Sequence, residues 1–200
     1  MPNRESNGNQ AFLILIRHAA PEIVPALPPD QWRLSAAGRE QAEQLAADLA
    51  DYRLKAVITS VEPKAQETGQ IVASRLGCSF HSAPGLHEHR RTPEDFTGDV
   101  AYFRSQVARL FEQPEELILG RETASAASAR FGEAVTHVLA DFPEHNIAIV
   151  THGTVLSLYL ARVAGIAPYP FWSRLGLPAF VVLSRPALEL ITIQGLRPAP

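Results

Sequence analysis

The chain has 200 residues, 46% hydrophobic and 20% charged, with a formal net charge of −3 and one cysteine, Cys78. That length suits one substantial core, and the slightly acidic balance excludes a general nucleic-acid or membrane-surface binder, which would carry a large basic excess. A lone cysteine excludes an intrachain disulfide, and no apolar run approaches the roughly 18 residues of a membrane span.

The first ten residues, MPNRESNGNQ, are polar and lack the apolar stretch of a secretory leader. They are expected to form a disordered tail (1–10) on a cytoplasmic protein whose remaining residues, 11–200, make a single domain. The run AFLILI (11–16) predicts a central strand buried on both faces, and it leads directly into Arg17 and His18. Four prolines between Pro21 and Pro29 exclude regular structure there. Ser35 then suits the N-cap of a helix whose Ala42, Leu45, Ala46 and Leu49 recur at helical spacing.

AVITS (56–60) predicts a second strand, followed by a helix that Pro63 opens and Gly77 closes. From about 80 to 120 the pattern loosens around one helix-like piece, Tyr102 to Phe111, which reads as an insertion suited to substrate selection. A long helix follows, with Thr123 or Ser125 near its start. NIAIVTHG (146–153) predicts a third strand ending in Thr151, His152 and Gly153, before the helix TVLSLYLARVAG. AFVVLS and LELITI read as two more strands, paired at an edge through the turn at Arg185–Pro186. Strands alternating with amphipathic segments predict an α/β fold, a three-layer α/β/α sandwich with a mostly parallel sheet.

In such sheets ligands sit beyond the carboxyl ends of the strands. Three strands here end in Arg17–His18, Thr59–Ser60 and Thr151–His152, so two histidines 134 residues apart in sequence can face one crevice. Cations gathered at helix N-termini make a phosphate site.

The segments LIRHA (15–19), LSAAGREQA (34–42), TSVEPKAQET (59–68), LHEH (86–89) and VTHG (150–153) occur in the order and spacing of one family. On them the chain resembles the histidine phosphatases, the phosphoglycerate mutase-like superfamily, and its length resembles the phosphatase branch. The resemblance implies His18 as the nucleophile that forms a phosphohistidine and Arg17 as a bidentate phosphate clamp. It implies that His152 donates to the same phosphoryl group, and that Glu88 is the general acid and base. Lys64 stands where the family usually has a second arginine and binds phosphate as a point charge. Ala19 replaces a frequent glycine, and Val24 replaces a frequent asparagine. The implied activity is a metal-independent histidine (acid) phosphatase, a phosphoric monoester hydrolase with no cofactor and no metal, acting on a small phosphorylated substrate. A catalytically weak phospho-ligand-binding relative and a phosphomutase are the alternatives. Neither the substrate's identity nor an oligomeric state is written in the pattern.

Blander readings stand beside these. His18 and His152 alone would be satisfied structural histidines, and Arg17, Lys64 and Glu88 solvated charges. Glu94 and Asp95 are rival acids, while His87 and His89 would share one face of a strand as metal ligands but lack a third. Arg90, Arg91 and Arg121 read equally as a solvated face or as readers of an acidic substrate. Ser60 and Thr151 read equally as caps or as phosphate contacts. A nucleophile elbow and a P-loop are both absent from the sequence.

Overall fold

β-Branched and leucine side chains placed continuously along a short strand can be buried on both faces only if helices cover both, and that arrangement is what the computed structural model shows. It describes residues 11–92, 95 and 98–198, so the expected tail lies outside the described residues. The strands are β1 (Phe12–Arg17), β2 (Ala56–Thr59), β3 (Ser79–Ser82), β4 (Ile147–Thr151), β5 (Leu175–Ser184) and β6 (Leu190–Leu196). They form one sheet in the order β3-β2-β4-β1-β5-β6. The first four run parallel, β5 lies antiparallel to β1, and β6 is antiparallel to β5 at the edge.

The helices are α1 (Ala36–Leu49), α2 (Pro63–Leu76), α3 (Val100–Glu112), α4 (Ala124–Asp141), α5 (Gly153–Ala164) and α6 (Pro168–Arg174). Leu13 and Leu15 of β1 point to one face and pack with Phe131 and Val135 of α4 and Val155 and Leu156 of α5. Ile14 and Ile16 point to the other face, against Leu45 and Leu49 of α1 and Val72 and Ala73 of α2. All four β1 side chains are fully buried, each contributing about 1.5–3 kcal/mol by burial.

Local signals set the helix ends. Ser35 Oγ accepts from Gly38 N, Thr123 Oγ1 accepts from Ala126 N, and Gly77 closes α2 at φ 65°. Gly38 has a second task. A Cβ there would lie 2.0 Å from Ala20 O, so only glycine lets α1 begin against the chain leaving β1.

Four expectations need correction. β1 runs through Arg17, which pairs with Thr151 and Ala179, so the first cation belongs to the strand itself. β3 was not anticipated, because SFHS is a mostly exposed edge strand without an apolar run. Helix α6 was not anticipated; Pro168 opens it, and proline suits a first helical turn. β5 begins at Leu175, before AFVVLS, and lies inside the sheet between β1 and β6, so of this pair β6 alone is an edge. No described helix is long and apolar enough to cross a membrane.

Candidate active site

Strand register builds the site. β1 and β4 are neighbours with Arg17 opposite Thr151, so the next residues, His18 and His152, leave the sheet side by side. His18 N donates to Thr151 O at 3.0 Å, and the two rings meet edge to face with centroids 5.2 Å apart. Ser60 follows β2, Lys64 lies in the first turn of α2, and His152 is the N-cap of α5. Glu88 lies in the segment after β3 and reaches the same N-terminus. The five expected site residues therefore lie at one end of the sheet.

His18 is buried, and its Nδ1 lies 2.7 Å from Ala19 O. A carbonyl only accepts, so Nδ1 carries the proton and Nε2 keeps its lone pair. Burial pushes the His18 pKa well below 6.5, with His152, Lys64 and Arg17 adding to it and the Ala19 carbonyl opposing. Burial likewise lowers His152, helped by Lys64 and opposed by Glu88. The Arg17 guanidinium donates from Nη1 to Leu175 O at 2.7 Å. Burial brings its pKa down to about 10, so it stays charged at neutral pH.

These shifts set a pH dependence. Both histidines have folded pKa values below 6.5, so the unfolded chain binds protons that the folded chain refuses. Stability is therefore lost as the pH falls below the unfolded value. We expect the Tm to drop between about pH 7 and 5, with up to about 1.4 kcal/mol of stability lost per pH unit for each ring. Thermal denaturation at constant ionic strength measures this, and a flat profile would mean the rings are not held neutral. Glu88 adds no slope in that window, because its depressed carboxyl loses its stabilising effect only below 4.5.

Glu88 is held by backbone. Its Oε2 accepts from Thr154 N (3.0 Å), and its Oε1 accepts from Val155 N (3.2 Å) and His89 N (2.9 Å). Burial raises its pKa, but Arg91, His152 and the amide donors outweigh that and leave it well below the usual carboxylate range. Arg130 of α4 fixes the whole segment, donating to Gly85 O, His87 O and Glu88 O at 2.7, 2.9 and 3.2 Å.

Sequence reasoning missed Glu62 and left Arg91 and Ser60 open. Glu62 is buried, with Oε2 2.5 Å from Lys64 Nζ and Oε1 3.3 Å from His152 Nε2. Its Oε1 also accepts from Glu88 N at 2.8 Å. Lys64 Nζ donates a second bond to Pro29 O at 2.7 Å, so one ammonium N–H remains for a ligand. Ser60 Oγ lies 2.8 Å from His152 Nε2. Arg91 Nη2 donates to Thr154 Oγ1 at 2.6 Å, and its guanidinium lies 4.9 Å above the Phe103 ring. The only sequence signal for Glu62 is its place beside Pro63 and Lys64. Arg91 has none, because nothing in HRR tells an inward arginine from a solvated one.

The other open residues divide cleanly. Thr151 Oγ1 donates to Leu86 O and ties down the Glu88 segment. His89 Nε2 lies 2.7 Å from Glu122 O, whereas His87 Nε2 accepts from Arg90 Nε, so the two rings have separate partners. Among the described residues no group of three or more His, Cys, Asp or Glu is arranged to hold a metal ion. Asp95 accepts from Thr92 N and Gly120 N as a loop tie, and Glu94 lies outside the described residues. Arg90 and Arg121 are exposed.

Among the buried polar atoms with no partner are Arg17 Nε, Arg91 Nε and His152 Nδ1. An unpaired buried donor costs about 1–3 kcal/mol, and an anion placed beside the two guanidinium Nε atoms would relieve that cost, whereas His152 Nδ1 becomes a donor only when its ring is protonated. Three buried or half-buried cations (Arg17, Lys64 and Arg91) stand against two carboxylates (Glu62 and Glu88).

A family model described as "Histidine phosphatase superfamily (branch 1)" matches residues 13–184. A mycobacterial glucosyl-3-phosphoglycerate phosphatase superposes with a TM-score of 0.69 at 18% identity, over 96% of this chain and all 100% of that one. A phosphoserine phosphatase mutant from Entamoeba histolytica, in complex with phosphoserine, gives 0.68 at 18% identity over 92% and 96%. The alpha-ribazole phosphatase from Shigella flexneri gives 0.66 at 22% identity over 94% and 99%. No curated protein matches the sequence.

Proposed function

The chain belongs to the histidine phosphatase superfamily, and from that premise we propose that it hydrolyses phosphomonoesters through a phosphohistidine on His18. The observation that carries this reading is the pairing of a neutral His18, with its Nε2 lone pair available, and unpaired buried donors on Arg17 and Arg91.

The phosphoryl group binds among Arg17, Arg91 and the remaining Lys64 donor. Its charge raises the pKa of neighbouring groups, as like charge does for carboxylates and opposite charge for histidine. His152 then protonates, donating from Nδ1 to the phosphoryl oxygen and from Nε2 toward Glu62. Under the same negative charge the Glu88 carboxylate takes up a proton from solvent; His18 Nε2 then attacks phosphorus in line, the ester P–O bond breaks, and Glu88 delivers that proton to the leaving oxygen. Water then attacks the phosphohistidine and gives a proton back to Glu88. The P–N bond breaks and neutral His18 returns. Fixed cations supply the charge stabilisation for which other phosphoryl-transfer sites use Mg²⁺.

Trapping tests this. Wild-type protein mixed with a phosphomonoester in EDTA and quenched in alkali is expected to carry one phosphoryl group, acid-labile, on the peptide containing His18. Turnover without that adduct, or an adduct on another residue, would sink the proposal. One observation favours a second reading, a phospho-ligand binder with little turnover: the Glu62 carboxylate already pairs with Lys64 and His152. Phosphate binding with neither adduct nor product would select it.

A further inference from the structure

Beside the charged cluster, the 21–32 loop and the start of α3 enclose a cavity of about 520 Å³, within the range of small-molecule sites. Ile23, Leu27, Trp32, Val100 and Phe103 line it, with three prolines of the loop. None of its described lining residues is a lysine, arginine, asparagine, glutamine, serine or threonine. Its two polar side chains, Trp32 and Asp99, are engaged in the protein's own bonds. Trp32 Nε1 donates to Val24 O and Leu27 O, and Asp99 Oδ1 accepts from Ala101 N and Tyr102 N at the start of α3. Yet the apolar side chains stand open, with Ile23 69% exposed, Val100 66% and Leu27 43%. Apolar side chains gathered around a concavity mark a ligand surface in a way that scattered ones do not.

Both walls are tied to cations of the phosphate site. Pro29 O in the loop wall accepts from Lys64 Nζ at 2.7 Å. Phe103 in the helix wall carries the Arg91 guanidinium over its ring, and that guanidinium reaches Thr154, whose backbone N–H donates to Glu88. A phosphoryl group seated between Lys64 and Arg91 would therefore have both walls beside it, within reach of its ester substituent. They offer no cation to a carboxylate and no amide or hydroxyl side chain to a sugar, whereas an alkyl chain or aromatic ring buries apolar surface on both sides.

We propose that this cavity receives the ester substituent and that the substrate class is the phosphomonoester of an apolar alcohol or phenol. The inference rests on the phosphatase reading of the neighbouring site, so its test separates the two. Calorimetric titration with methylphosphonate and hexylphosphonate, neither of which can be hydrolysed, reads the cavity alone. A fully buried methylene is worth about fourfold in affinity. Five extra methylenes in an open cavity are expected to favour hexylphosphonate by at least about tenfold. Val100→Asp should reduce that preference several-fold, and acid in the first turn of α3 suits the helix dipole, so the fold is retained. Leu27→Asp should do the same from the opposite wall.

Equal affinity for the two phosphonates, or a preference unchanged in both variants, overturns the proposal. Kinetics on hexyl phosphate and glycerol phosphate complete the test. Tight hexylphosphonate binding without hydrolysis of either ester would defeat the phosphatase reading and uphold the cavity. Hydrolysis of both with no hexyl preference in kcat/KM would do the reverse.

Discussion

Replacing His18 with alanine is expected to lower kcat on p-nitrophenyl phosphate in EDTA by on the order of 10⁴-fold or more, as loss of a covalent nucleophile does elsewhere. A 10⁴-fold loss corresponds to about 5.5 kcal/mol of barrier. The size follows from geometry. The imidazole is buried, held neutral by burial and by the charges of Lys64 and Arg17, and oriented by its bond to Ala19 O. The fold should survive, since the substitution removes one ring at the end of the sheet and leaves the β1 core untouched. It also removes a group that resists protonation, so the variant's Tm should depend less on pH below about 6.5 than that of wild type. Full activity in a folded His18→Ala protein would mean the central assignment is wrong.

The second large effect belongs to Glu88→Gln. If Glu88 protonates the leaving oxygen, the variant should lose about 10²–10³-fold in kcat on an alkyl phosphate but much less on p-nitrophenyl phosphate. Nitrophenolate leaves without help from a proton. A purely structural Glu88 gives a different pattern. All three of its hydrogen bonds come from backbone N–H groups, and an amide nitrogen facing such a donor makes no bond. The resulting cost of about 1–3 kcal/mol in stability would slow both substrates equally. The ratio of the two rates, not either rate alone, separates proton transfer from capping of α5. If Glu62→Gln shows the leaving-group dependence and Glu88→Gln does not, the proton donor is Glu62.

Features that depend on neighbours in the chain were legible early. The apolar runs of β1, β2 and β4, the caps at Ser35 and Gly77, and proline at the start of α2 match the structure, and of Thr123 and Ser125 the structure makes Thr123 the cap of α4. Each is decided within a few residues by periodicity, dihedral preference or a local hydrogen bond. The convergence of His18 and His152 was legible because parallel strands deliver their carboxyl ends to one side of a sheet. Family membership was legible because five short motifs keep their order along the chain.

What escaped had no local signature. β3 is an exposed edge whose residues carry no strand pattern, and it exists because β2 offers a partner. α6 begins with prolines that only its docked context makes helical.

The site divides in the same way. By itself the sequence determined which side chains are the candidates for the proposed chemistry, because strand ends and motif order are one-dimensional properties. Only the tertiary structure decided how those side chains are balanced. Glu62 turns inward against Lys64 and His152, Arg91 stacks on Phe103, and the proline-rich loop closes with α3 around an apolar cavity. Those choices rest on charge pairing and burial between residues tens of positions apart, and such energies are set by distance through space rather than by distance along the chain.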